Sequence, residues 1–214
     1  MIFYIDTSSS YLYSAIYKDG SIIDSIKLDL GKDLSSKALS LISELFKKNN
    51  LFFNDLTKII AVNGPGSFTG VRVGLTISKI IAWSLKIPIT TISSLEAMAF
   101  SASNEYSYVV PVIDARRKFY YGAIYDRVNK GFILKEQYIS YDLLTASMNS
   151  FPSNMVVVTN DEFETDHEVI PYDPNFLEII ENTKDREPIP VNLLDANYLK
   201  KTEAEENRHD SWIS

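Results

Sequence analysis

Cysteine is absent from the 214 residues, which excludes disulfides and thiolate metal sites and agrees with a reducing compartment. Histidine is nearly absent too: His167 and His209 stand far apart in an acidic region, so no local His-x-x-x-His metal pair can form, and both are expected to be solvent-exposed. No segment approaches the roughly 18 to 20 consecutive apolar residues of a membrane span, and the strand-like Met1-Ile2-Phe3-Tyr4-Ile5 start lacks the features of a secretory signal. The expectation is a cytoplasmic protein with no membrane partner. A basic face is also missing. Net charge is −7, and residues 161–187 hold ten acids against Lys184 and Arg186 while the rest is nearly neutral, so a free-standing RNA-binding module is disfavoured.

Apolar residues at 45% and charged residues at 23% are ordinary for a globular chain able to bury a core. Strands are predicted over Ile2–Asp6, Tyr11–Tyr17 and Ile22–Leu30, with Asp19-Gly20 as a hairpin turn. A helix follows over Asp33–Asn49, capped by Asp33, with Leu34, Ala38, Leu41, Ile42, Leu45 and Phe46 at helical spacing. Then come a strand Lys58–Asn63, a helix Ser67–Leu85, a strand Pro88–Ile92 and a helix from Ser93 or Ser94 to about Ser101. The second half repeats the pattern with strands Tyr108–Ile113, Lys118–Asp126 and Phe132–Ser140, a helix from Asp142, a strand Met155–Thr159 and a helix near Pro174–Glu181. An α/β duplication with mixed sheets is expected: an N-terminal lobe 1–103 (βββαβαβα) and a smaller C-terminal lobe 104–214 (βββαβα) with a tail, divided near 102–107.

Residues 63–74 hold four of the eight glycines between a strand and a helix. The turn could cradle phosphate, but the Gly-Lys-Ser/Thr of a P-loop is absent and Thr69 stands where a dinucleotide fingerprint needs its third glycine. Gly70, Gly74, Ser78 and Ala82 repeat every four residues and make one helix flank small, while Val73, Ile77, Ile80 and Ile81 make another bulky. Packing within one domain is the bland explanation. The sharper one sets the small flank against a partner's helix, and it predicts that a bulky residue at Gly74 abolishes pairing while the monomer stays folded.

The string Gly64-Pro65-Gly66-Ser67-Phe68-Thr69-Gly70-Val71-Arg72-Val73-Gly74-Leu75, then Lys86-Ile87-Pro88 and Ser93-Ser94-Leu95-Glu96-Ala97, resembles the signature of the TsaB (YeaZ) family. Asp6-Thr7-Ser8, Ile113-Asp114-Ala115-Arg116-Arg117 with Tyr120-Tyr121, and Pro190-Val191-Asn192-Leu193 are similar to further landmarks. One departure is Leu34-Ser35, where the family usually has His-Ser.

The resemblance implies a duplicated actin, hexokinase and Hsp70-like (ASKHA) ATPase fold with a degenerate nucleotide cleft at Asp6, Thr7, Ser8, Asp114, Arg116 and Arg117, which lacks glycines in both phosphate loops. It implies no catalytic residue, no metal and no cofactor. The role would be a non-catalytic, pseudo-enzyme subunit of the machinery that places threonylcarbamoyl on the adenosine beside the anticodon of tRNA. Its partners would be a TsaD-like catalytic subunit, joined through the two long helices, and a TsaE-like ATPase, with tRNA met indirectly and a homodimer possible alone. Leu41, Leu45, Phe46, Gly70, Val73, Gly74, Ile77, Ser78 and Ala82 would form the pairing face. The alternatives are an active ATPase or small-molecule kinase of the same fold and, more remotely, a peptidase.

Overall fold

A computed structural model describes residues 1–151 and 154–200, so His209 lies outside the described residues. The chain opens with β1 (Ile2–Asp6), β2 (Tyr11–Lys18) and β3 (Ser21–Asp29). Lys18 pairs directly with Ser21 across Asp19-Gly20, and both turn residues have positive φ (49° and 83°), as a two-residue type I′ hairpin requires. The helices α1 (Leu34–Lys48), α2 (Phe68–Leu85) and α3 (Ser94–Ser101) alternate with β4 (Lys58–Val62) and β5 (Ile89–Ile92). Asp33 precedes α1 but does not cap it with its side chain; it pairs instead with Lys37 one turn on, at 2.7 Å.

The second half supplies β6 (Tyr108–Asp114), β7 (Phe119–Asp126), β8 (Gly131–Ser140), α4 (Tyr141–Met148), β9 (Met155–Val158), β10 (Glu168–Ile170) and α5 (Phe176–Thr183). Strand β10 escapes the sequence pattern because only three residues pair and none is fully buried. It completes the duplication: the sheets read β3-β2-β1-β4-β5 and β8-β7-β6-β9-β10, with the same sense of pairing at every equivalent step. Among the described residues the second copy has no helix equivalent to α2. The long helix with two apolar flanks belongs to the first lobe alone.

Alternation along the strands sorts the side chains into three cores. Phe3, Ile5, Leu12 and Ile16 face α1 and α2; Tyr4, Tyr13 and Ala15 point the other way; Val110, Val112 and Ile124 face α4. The middle core is shared. α3, from the first half, packs on β6 and β7, while α5, from the second half, packs on β2, β3, β5 and α3. Residues 102–107 therefore connect two halves whose apolar surfaces close over one another.

Polar contacts clamp the same seam. Arg186, just past α5, grips Glu96 of α3 with both nitrogens, at 2.9 and 2.7 Å, and Glu136 of β8 accepts from the hydroxyl of Ser93, the α3 cap. Arg186→Gln will lower stability by about 1 to 2 kcal/mol, between the worth of exposed and buried pairs, because it leaves Glu96 and the half-buried Glu136 without the guanidinium. Urea denaturation measures this; an unchanged midpoint at unchanged slope refutes it.

Candidate functional site

Two surfaces collect the residues singled out by the sequence. On the first, Ser67 caps α2 by accepting the Gly70 amide, and the helix runs 18 residues along its sheet. The small flank faces inward. A Cβ on Gly70 would overlap the carbonyl oxygen of Thr7, one on Gly74 would meet the Thr7 hydroxyl, and one on Gly66 would overlap the carbonyl of Ser8. The Thr7 hydroxyl donates to the Gly70 carbonyl at 2.7 Å, and the Ser67 amide donates to the Ser8 carbonyl at 2.7 Å. The glycines thus let α2 close onto the loop after β1, and Ser78 and Ala82 are buried with them.

This corrects the assignment of the small flank to a partner. Gly70, Gly74, Ser78 and Ala82 are covered by their own chain, and Leu45, Phe46 and Ile77 are core residues under the sheet; Leu41 and Val73 are only partly covered. Of the bulky side, Ile77 and Ile81 are buried as well and Val73 is partly covered; what α2 offers outward is a strip with Ile80 60% and Trp83 76% exposed. Leu39 on the neighbouring α1 is 55% exposed. Trp83 continues into an apolar hollow lined by Ile87, Pro88, Pro188, Ile189 and Val191, where the closing segment bridges Ile89 through Ile189. Sequence reasoning passed over Trp83. Its place three residues after Ile80, on one helical side, was the available signal.

The second surface is the cleft between the lobes, roughly 800 Å³, into which the ends of β1, β3 and β6 and the start of α2 open. Asp6, Ser8, Asp114 and Arg116 line it as expected. Thr7 and Arg117 do not: Thr7 is turned under α2, and Arg117 lies in an adjoining hollow with Lys118, Tyr120 and Glu164. The loop after β6 carries Arg116, Arg117 and Lys118 at φ of 70°, 57° and 60°, a left-handed run that favours glycine and here bears three long side chains. Sequence reasoning did not bring Asp29, Asp161 and Ser94 to this cleft, since three separate elements deliver them.

One backbone amide of the first loop and two of the second are engaged by carboxylates. Ser8 N–H donates to Asp6 Oδ1 at 2.7 Å, Arg116 N–H to Asp114 Oδ1 at 2.8 Å and Asp114 N–H to Asp161 Oδ2 at 2.7 Å. Burial pushes the Asp6 carboxyl above its ordinary value, and the bonds from Ser8 offset this only in part. Asp6 therefore holds its proton more tightly folded than unfolded; its stabilising contribution is complete below the ordinary value of 3.8 and is lost as pH rises through the raised one. Asp6→Asn keeps the acceptor for Ser8 and cannot ionise. The variant will be more stable than the parent at pH 7, and the gap will close in acid. A variant less stable than the parent at pH 7 contradicts this.

Two sheets of one strand order, crossed helices between them and a cleft at the strand ends define a duplicated α/β fold of the actin and hexokinase-like kind. The family model described as "TsaD: tRNA N6-adenosine threonylcarbamoyltransferase" matches residues 29–163. Relatives named "tRNA threonylcarbamoyladenosine biosynthesis protein TsaB" are 38% identical over 125 residues in Bacillus subtilis, covering 58% of this chain and 55% of the relative. In Escherichia coli a relative of the same name is 30% identical over 129 residues, covering 59% and 55%. This chain thus spans about half the length of the curated relatives it matches. The solved structure of YeaZ from Pseudomonas aeruginosa shares the fold at a TM-score of 0.76 and 18% identity, over 92% of this chain and 99% of that one. The chain belongs to the TsaD family, in its TsaB (YeaZ) branch. No helix among the described residues is long and apolar enough to cross a membrane.

Proposed function

We propose that the chain is a non-catalytic, activating subunit in the biosynthesis of threonylcarbamoyladenosine in tRNA, and that it pairs with a TsaD-like catalytic subunit through the outward side of α1 and α2. The observation that carries this reading is the exposure of Ile80 and Trp83 on a helix whose other flank is fully committed to its own sheet. Large exposed apolar groups that run into an apolar hollow are characteristic of interaction surfaces. The names of the relatives support this pathway.

The cleft supports the assignment of catalysis to the partner. Carboxylates occupy the Ser8, Asp114 and Arg116 amides, which would otherwise be open to phosphate oxygens, and the second loop carries arginines and a lysine where backbone approach needs glycine. A subunit of this kind acts by binding the competent state of its partner better than the incompetent one, and it can shift activity only by that difference. A TsaE-like ATPase joining the pair, indirect contact with tRNA, a homodimer through the same outward face and residence in the cytoplasm complete the reading.

Co-expression with a TsaD-like subunit tests it. The two chains should copurify, and the pair should modify tRNA from a threonylcarbamoyl-adenylate donor while neither chain does so alone. Modification by this chain alone, or full activity of the partner without it, would overturn the proposal.

A further inference from the structure

Ile80 and Trp83 together expose a few hundred Å² at most, against roughly 800 Å² per partner in a stable interface, so a pairing face centred on them must extend onto a neighbour. On α1 the exposed side is mostly serine, lysine and glutamate, and Leu39 is its large exposed apolar residue. The closing segment, residues 188–200, offers more. It runs antiparallel to α2 and is fastened at both ends of the helix. Beside Trp83, Ile189 bridges Ile89 and Val191 lines the apolar hollow. A 3-10 turn over Val191–Leu193 then packs on α2, and Leu194 is buried in one core with Val71 and Leu75. At the start of the helix the Asn197 amide donates to the Asn63 carbonyl at 2.7 Å, and the Tyr198 hydroxyl accepts from Arg72 Nε at 2.9 Å.

This anchoring leaves apolar groups outside. Leu193 is 67% exposed, and Tyr198 stands 5.8 Å from the exposed Phe68, whose ring the Arg72 guanidinium covers at 3.6 Å. Large exposed apolar side chains scattered singly are ordinary, but here Phe68, Ile80, Trp83, Leu193 and Tyr198 lie on one helix and the segment bound to it.

Charge along this band has a sign of its own. Arg72 and Lys79 stand seven residues apart, nearly in line along α2 beside the Ile80 and Trp83 strip, and Lys86 ends the row as the C-terminal cap. The helix holds no acid, and the closing segment adds Asp195 and Lys200, on a chain whose net charge is −7. Neither Arg72, Lys79 nor Lys86 forms an ion pair among the described residues. Separated cations beside exposed tryptophan and isoleucine give an apolar centre with a charged rim, the plan of a protein interface rather than of a phosphate-binding groove.

We infer that the pairing face continues from α2 onto the closing segment, and that the partner surface it takes is apolar at its centre and acidic along the edge that meets Arg72, Lys79 and Lys86. The inference rests on the pairing proposed above and adds to it a second element and the sign of the partner's charge. Leu193 enters the contact directly, while Tyr198 positions Arg72.

Surface plasmon resonance over an immobilised TsaD-like subunit tests both parts. Leu193→Asp changes a side chain mostly in water, so the lone chain should keep its circular dichroism and melting temperature while pairing weakens at least tenfold. Leu143→Asp, similarly exposed on α4 of the other lobe, should change neither. Lys79→Gln with Lys86→Gln should slow association several-fold at low ionic strength, and the difference should shrink in high salt as charge steering is screened. Parental affinity in Leu193→Asp overturns the extension while pairing through α2 stands; failure of the parent chain itself to bind overturns the reading beneath it and this inference together. An association rate indifferent to the two lysines overturns the assigned sign. If Leu193→Asp dissolves a dimer of the lone chain in sedimentation velocity and leaves pairing untouched, the occupant is a second copy. If the lysine variant changes only retention of tRNA by the lone chain, the row binds RNA, and either result overturns the inference.

Discussion

Gly70→Val will cost the isolated chain about 3 kcal/mol or more and will lower its melting temperature by roughly 6 to 12 °C, before any partner is added. The atom a Cβ would strike is the Thr7 carbonyl oxygen, which belongs to the backbone of the loop after β1 and cannot rotate away. Relief would require α2 to move off its sheet, opening contacts of Val71, Leu75 and Ile81 with the core. It would also break the Thr7 hydroxyl bond to the Gly70 carbonyl. At Gly74 the obstacle is the Thr7 side chain, which can turn, so Gly74→Ala should cost less than Gly70→Ala. Thermal and urea denaturation of the monomer measure both. A Gly70→Val chain with parental stability would show that the flank is looser than its packing indicates and would return it to the list of possible partner contacts.

Ile80→Asp combined with Trp83→Ala will do the reverse: it will leave the monomer within about 0.5 kcal/mol of the parent and remove pairing. Both side chains are mostly in water, so their loss opens no cavity. At the centre of an interface each truncation typically costs about 2 kcal/mol or more, so the pair of changes should weaken association by a factor on the order of 100 to 1,000. The added carboxylate would also be stranded in an apolar contact. Leu45→Ala supplies the contrast, because Leu45 is a core residue and its truncation should destabilise the monomer by about 2 to 5 kcal/mol. Undiminished capture of the catalytic subunit by the double variant would move the pairing surface elsewhere.

The elements of the first half were legible because their signals are local. Asp19-Gly20 fixes a hairpin by the positive φ it tolerates, and Ser67 and Ser93 each accept an amide three residues on, as caps do. The alternation that makes Phe3 and Ile5 face one way and Tyr4 the other can be read from five residues. Strand β10 was hidden for the opposite reason: Glu168-Val169-Ile170 pairs only through β9, with partners twelve residues upstream. Asp33 shows the limit even of local reading, since a residue of capping type chose the nearby Lys37.

The sequence by itself determined the duplicated α/β plan, the family resemblance and the existence of a helix with one small and one bulky flank. Only the tertiary structure decided that the small flank is covered, that Ile77 and Ile81 of the bulky one are core, and that Ile80 and Trp83 are left free. Periodicity shows that two flanks differ, but small residues allow close approach to any backbone, whether a partner's or the chain's own, and Thr7, some sixty residues upstream, happens to be that backbone. The same holds for the cleft. Four aspartates scattered between positions 6 and 161 line one cleft only when two sheets set their strand ends face to face.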